Sequence, residues 1–173
     1  EFEIGQKPAN QWDVWSDVQA LGVDLVVQPT AGRRKKMLLA DMDSTMINEE
    51  CIDELAEVAG VGAYVKDITA KAMNGELDFE GALTERVALL SGLDEDIIVQ
   101  VLAERITLMS GGPALLATMK AHGAYAALVS GGFTAFTASI TSKLGFDENR
   151  ANILFAEGGK LTGKVAMPRS EEH

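Results

Sequence analysis

Two short apolar runs bracket a long stretch of helical spacing. Residues 37–40 and residues 124–129 are apolar without alternation, as in buried strands of a parallel sheet. Between them the apolar period is helical. Ile52, Leu55, Ala56 and Ala59 mark a first amphipathic helix, ended by Gly60. Val65, Ile68, Ala72 and Met73 mark a second, ended near Asn74-Gly75. Phe79, Leu83, Val87 and Leu90 mark a third, ended at Ser91-Gly92. Asp94 is placed to cap a fourth, which holds Ile97, Ile98, Val101, Leu102 and Ile106. Four such helices in a row can form a small bundle.

The flanks are read in the same way. Gly111-Gly112-Pro113 opens a helix that ends at His122-Gly123, with Pro113 in its first turn. A further helix spans residues 135–144 and stops at Gly145. Residues 153–156 and 161–166, around Gly158-Gly159, predict a closing hairpin. Near the start, Asp13 is placed to cap a helix over residues 14–21, and residues 23–27 read as a strand. Strand, helix and strand with glycines at a strand's carboxyl end predict an α/β fold: a doubly wound, Rossmann-like parallel sheet, with the four helices inserted as a cap. The expected division is 1–32 as the remnant of an N-terminal domain or a linker, 33–45 with 109–173 as the core, and 46–108 as the cap.

Composition narrows the function. The 173 residues are 47% hydrophobic and 24% charged, with a formal net charge of −11. Such a body repels nucleic acid and anionic membrane, and neither is expected as a partner. It also repels free phosphate esters, so a phosphate site needs local cations or helix N-termini. The single cysteine, Cys51, excludes an internal disulfide and is compatible with a reducing cytosol. No apolar run is long enough to span a bilayer as a helix. The run Arg33-Arg34-Lys35-Lys36 reads as a solvated approach to the first core strand.

The chemistry concentrates at the ends of the two strands. The first delivers Asp41-Met42-Asp43-Ser44-Thr45. Residues two apart on extended chain share a face, so both carboxylates can address one ligand. Two such neighbours stay ionised only beside a cation, or else share a proton. With oxygen ligands the fitting cation is Mg²⁺, which takes one or two carboxylates plus substrate phosphate. An aspartate can also attack phosphorus. The same residues fit an ordinary strand-to-helix turn with N-caps. The second strand delivers Ser130-Gly131-Gly132-Phe133, where a hydroxyl and glycine amides can meet a phosphate oxygen. A plain glycine-rich turn is the other reading. Together the two motifs point to phosphate handling.

From about residue 34 to about residue 167 the chain resembles the phosphoserine phosphatase branch of the haloacid dehalogenase-like hydrolases. Asp41-Met42-Asp43-Ser44-Thr45 and Val129-Ser130-Gly131-Gly132-Phe133 resemble the superfamily's first two motifs. Ile47-Asn48-Glu49-Glu50-Cys51-Ile52-Asp53-Glu54, Met73-Asn74-Gly75-Glu76-Leu77-Asp78-Phe79, Arg86-Val87-Ala88-Leu89-Leu90 and Gly159-Lys160-Leu161-Thr162-Gly163 resemble the branch.

The resemblance implies a cytoplasmic, Mg²⁺-dependent enzyme of serine biosynthesis, which hydrolyses O-phospho-L-serine through an aspartyl-phosphate. Asp41 matches the nucleophile and Asp43 the general acid/base. The Asp41 carboxylate and the Asp43 backbone carbonyl match the Mg²⁺ ligands. Ser130 and Gly131 match phosphate-binding positions, Glu50 the partner of the substrate ammonium, and Arg86 that of its carboxylate. Met73 and Phe79 match apolar positions that close over the ligand. A homodimer is among the expected states.

The family's later lysine and its Gly-Asp-rich loop have no match here, since only residues 164–173 follow Gly163. The expectation is a truncated chain. Phosphoryl transfer to another alcohol and a non-catalytic phosphoserine-binding fragment are the alternatives. A phospho-receiver domain would share the acceptor aspartate but would not need the inserted helices.

Overall fold

The structure, a computed structural model, describes residues 4–166. The chain falls into two compact units, Glu1–Lys35 and Lys36–His173. In the first, α1 (Gln11–Gln19) follows Asn10 and buries none of its residues. Asp13 lies inside the first turn rather than capping it. Trp12 and Trp15 meet edge to face, with ring centroids 6.3 Å apart. Residues 23–27 form no strand, contrary to expectation. An apolar run becomes a strand only where a neighbour offers a ladder, and no described strand pairs with this one.

The second unit is α/β. Its elements are β1 (Met37–Ala40), α2 (Cys51–Val58), α3 (Gly62–Met73), α4 (Phe79–Ala88), α5 (Asp96–Glu104), α6 (Gly112–Ala121), β2 (Tyr125–Phe133), α7 (Thr134–Leu144), β3 (Glu148–Glu157) and β4 (Lys160–Ala166). The sheet order is β1-β2-β3-β4. β1, β2 and β3 run parallel, and β4 returns antiparallel to β3 as the expected hairpin. Pro113 opens α6, and Gly145 ends α7 with a left-handed φ of 87°.

β1 departs from the expectation of a buried strand. It sits at the sheet edge, with Met37 56% and Leu39 65% exposed, while Ala40 is buried. β2 carries the burial instead, through Ala126, Ala127 and Leu128.

Of the five helices between β1 and β2, α2, α4, α5 and α6 share one apolar cluster with the sheet. Met42, Ile47, Leu55, Leu83, Val87, Leu90 and Val101 join Leu116, Leu128, Phe133 and Phe136 in it. Within the insertion, α2 packs on α3 and α5, and α3 on α4, while α4 turns against β4. The two connections of the insertion pair with each other. Asn48 N–H donates to Thr107 O at 3.1 Å and Met109 N–H to Met46 O at 3.0 Å. The Glu49 carboxylate accepts from the Thr107 N–H at 2.8 Å and from its hydroxyl at 2.5 Å.

The far side of the insertion is held by the hairpin. Gly92 N–H donates to Leu161 O at 2.8 Å, Leu161 N–H to Leu93 O at 2.8 Å and Glu95 N–H to Gly159 O at 2.9 Å. Lys160 pairs with Asp94 at 2.8 Å. Asp94 is therefore engaged with the hairpin, and Glu95 takes the N-cap position of α5 instead. Gly163, at φ 74°, leaves room that a Cβ would take up only 2.8 Å from Ser91 Cβ.

Candidate active site

A cleft of about 350 Å³ is lined by Asp41, Asp43, Glu50, Ile52, Phe79, Leu83, Arg86, Ser130, Gly131, Gly132 and Phe133. Seven of the eight residues singled out from the sequence line it: Asp41, Asp43, Glu50, Phe79, Arg86, Ser130 and Gly131. Met73 does not. It is the last residue of α3, ahead of the left-handed Gly75, and is 84% exposed outside the cleft.

Asp41 follows the last residue of β1, and its Oδ1 accepts the Met42 N–H at 2.7 Å. Asp43 is held from two sides. Its Oδ1 accepts the Cys51 N–H at 3.1 Å, at the start of α2, and its Oδ2 accepts the Ser130 hydroxyl at 3.3 Å. Burial raises the Asp43 carboxyl above the ordinary carboxylate range, and the Glu50 charge adds to that, against the Cys51 and Ser130 bonds. A carboxyl raised in this way is suited to passing a proton. Burial likewise pushes the Cys51 thiol up, which makes it a neutral donor rather than a nucleophile.

The phosphate-type turn is built by a break in register. β2 and β3 pair regularly to Val129↔Arg150 and again at Phe133↔Asn152, with a shift between. Within that gap the Gly131–Gly132 peptide is pinned at both ends. Its N–H donates to Ser130 Oγ at 2.9 Å, and its carbonyl accepts from Asn152 Nδ2 at 2.6 Å. A Cβ on Gly132 would lie 2.8 Å from Asp43 Oδ2, and one on Gly131 would lie 3.2 Å from Phe79 Cζ. Position 132 therefore requires a glycine for close approach, whereas at Gly131 the Phe79 ring would have to shift. α7 begins directly afterwards and turns its N-terminus toward this end of β2.

Two charged residues of the cleft, Glu50 and Arg86, come from the insertion. Phe79, Leu83 and Arg86 are spaced i, i+4, i+7 on α4 and so share a face. Arg86 Nε donates to Ala82 O at 3.2 Å. Glu50 stands at the N-cap of α2 but makes no capping bond.

For Mg²⁺, the donors at the strand end are carboxylate and carbonyl oxygens alone, which is the chemistry that ion prefers. One carboxylate and one carbonyl plus substrate oxygens and water fit its habit. Among the described residues, no group of three or more His, Cys, Asp and Glu could hold a metal together.

Three contributors escaped the reading of the sequence. Leu83 was open to it through the i+4 spacing from Phe79. Cys51 and Asn152 carried no local signal, since each acts across the fold. Asn152 is only 4% exposed, and its loss would remove the partner of the Gly131 carbonyl. Asn152→Ala is expected to cost about 0.5–1.5 kcal/mol, the net worth of one hydrogen bond, seen as a lower urea midpoint. An unchanged midpoint would mean that water replaces the amide without loss.

Residues 38–173 match the haloacid dehalogenase-like hydrolase family. A phosphoserine phosphatase of Archaeoglobus fulgidus is 43% identical over 151 residues, covering 86% of this chain and 44% of that protein. A probable phosphoserine phosphatase of Schizosaccharomyces pombe is 44% identical over 166 residues, covering 95% of this chain and 54% of that one. A solved structure described as a phospho-aspartyl intermediate analogue of phosphoserine phosphatase superposes with a TM-score of 0.70 at 44% identity, covering 76% of this chain and 62% of its own. The chain thus spans about half the length of the curated relatives it matches. The family match takes in every residue of the cleft, and the chain belongs to the haloacid dehalogenase-like hydrolases.

Proposed function

We propose that this chain carries the nucleophile, the acid and the substrate-recognition half of a Mg²⁺-dependent phosphatase. Its substrate is O-phospho-L-serine and its products are L-serine and phosphate, the final step of serine biosynthesis, in the cytoplasm. The observation that carries this reading is one cleft holding Asp41 and Asp43 beside the Ser130 turn, with Glu50 and Arg86 on its wall. Phosphoserine has a phosphate at one end, and an ammonium and a carboxylate at the other. Glu50 complements the ammonium, and Arg86 offers a bidentate fork to the carboxylate. The curated relatives named as phosphoserine phosphatases support the substrate, and the solved phospho-aspartyl analogue supports an aspartate nucleophile.

In this reading an Asp41 oxygen attacks phosphorus in line as the bond from phosphorus to the serine oxygen breaks. Asp43 gives its proton to that leaving oxygen. Water then attacks the aspartyl-phosphate, Asp43 takes the water proton, and Asp41 leaves as the carboxylate. The Ser130 hydroxyl and the glycine amides stabilise the phosphoryl oxygens. The Asp41 carboxylate and the Asp43 carbonyl would hold Mg²⁺, which would supply charge neutralisation when bound. Ile52, Leu83 and Phe79 give the cleft its apolar wall.

The test is phosphate release from O-phospho-L-serine and from glycerol 3-phosphate, each with and without chelator. A strong, Mg²⁺-dependent preference for phosphoserine is expected. Equal rates on both esters would overturn the substrate assignment. Arg86→Ala should raise KM for phosphoserine roughly 10- to 100-fold, the worth of a charge-assisted pair, and far less for glycerol 3-phosphate, which has no carboxylate. Equal losses on both would make Arg86 a structural residue.

A further inference from the structure

Among the described residues, Ser44 is the one non-glycine residue with a positive φ, 53°. Serine gains nothing from that left-handed backbone, where glycine or asparagine sits more easily. What serine has there is a hydroxyl, and it donates to Glu50 Oε1 at 2.6 Å. The backbone closes the same loop, with the Ser44 N–H donating to Glu49 O at 3.3 Å.

Glu50 breaks a local rule as well. It occupies the N-cap of α2, where a short side chain would normally return to the helix amides. Its carboxylate makes no such bond and goes to Ser44 instead. Glu50 lines the cleft, whereas Ser44 does not. Ser44 therefore stands behind Glu50 and can act on a ligand only through it. Two adjacent departures from local preference that meet in one hydrogen bond are best explained by what that bond holds in place.

We propose that Ser44 is a positioning residue for Glu50, and that it sets the preference of the cleft for phosphate esters bearing an ammonium group. The inference rests on the phosphatase reading for the role of Glu50. A free glutamate side chain samples several rotamers. The Ser44 bond selects one, so the ammonium meets a carboxylate already in place.

The test uses Ser44→Gly, which suits the positive φ and removes the hydroxymethyl group, beside Ser44→Ala, which removes the hydroxyl alone. The ligands are O-phospho-L-serine and 3-phosphoglycerate, which carries a hydroxyl where phosphoserine has its ammonium. Dissociation constants by calorimetry give the preference without relying on turnover. In both variants the preference for phosphoserine should fall about tenfold relative to the parent chain, with 3-phosphoglycerate affinity within about twofold. Loss of affinity for both ligands alike, or an unchanged preference, would overturn the proposal. A parent chain that prefers phosphoserine yet releases no phosphate, with that preference lost in Ser44→Gly, would keep the Ser44 role and remove the phosphatase reading. A parent with no preference would remove the proposal.

Discussion

Asp41→Asn is expected to lower phosphate release from O-phospho-L-serine by about 10⁴-fold or more, the scale seen when a covalent nucleophile is removed. The amide nitrogen and oxygen of asparagine do not attack phosphorus at a useful rate. The substitution keeps the volume and leaves an oxygen to accept the Met42 N–H, which Asp41 Oδ1 now does at 2.7 Å. It also removes one of two neighbouring negative charges at an exposed strand end. Thermal unfolding should therefore stay where it is or move up. Turnover near the parent level in a folded variant would sink the nucleophile assignment and point to direct attack by water.

Asp43→Asn should fail differently. Removing a positioned general acid costs about 10²–10⁴-fold, and the loss should depend on the leaving group. Serine needs a proton to leave, whereas an aryl phosphate such as p-nitrophenyl phosphate does not. Its first step should survive and its second should stall, giving a burst of nitrophenolate and then a slow phase. The same variant should be more stable than its parent at pH 7. Burial raises the Asp43 carboxyl in the folded chain above the unfolded value near 3.8. Stability tied to this group is thus whole below pH 3.8 and is lost as pH rises through the folded pKa. An amide does not ionise, so the gain in Tm should be present at pH 7 and vanish in acid. Equal Tm values at pH 7 would mean that the bonds from Cys51 and Ser130 offset burial in full. Equal turnover would mean that another group supplies the proton.

Much of this site was legible because its chemistry lies in two contiguous motifs. Asp41 and Asp43 are separated by one residue, whereas Phe79 and Arg86, two turns apart on α4, were reached through the family resemblance and not through their spacing. Spacing within a single element is information that a sequence carries directly. What was not legible depends on pairings between distant segments. The apolar run of β1 disclosed a strand, which β2 alone flanks among the described residues. Residues 23–27 have strand composition and no partner. Asn152 looks like any polar residue of a strand until the register shift in β2 turns the Gly131 carbonyl toward it. Met73 matched a pattern by type, yet the end of α3 leaves it in solvent.

The lock between the β3–β4 hairpin and the α4–α5 connection has a consequence for how the protein is made. The inserted helices are complete in the chain by Glu104. The groups that fasten their far side, Gly159 to Thr162, are synthesised last among the described elements. On the ribosome the insertion must wait some seconds for those residues to emerge. During that interval its faces toward β4, including the α4 residues that carry Phe79 and Arg86, lack their support. A chain halted before Gly159 should hold helices but no settled cleft, so its binding wall would take shape only once the hairpin has emerged.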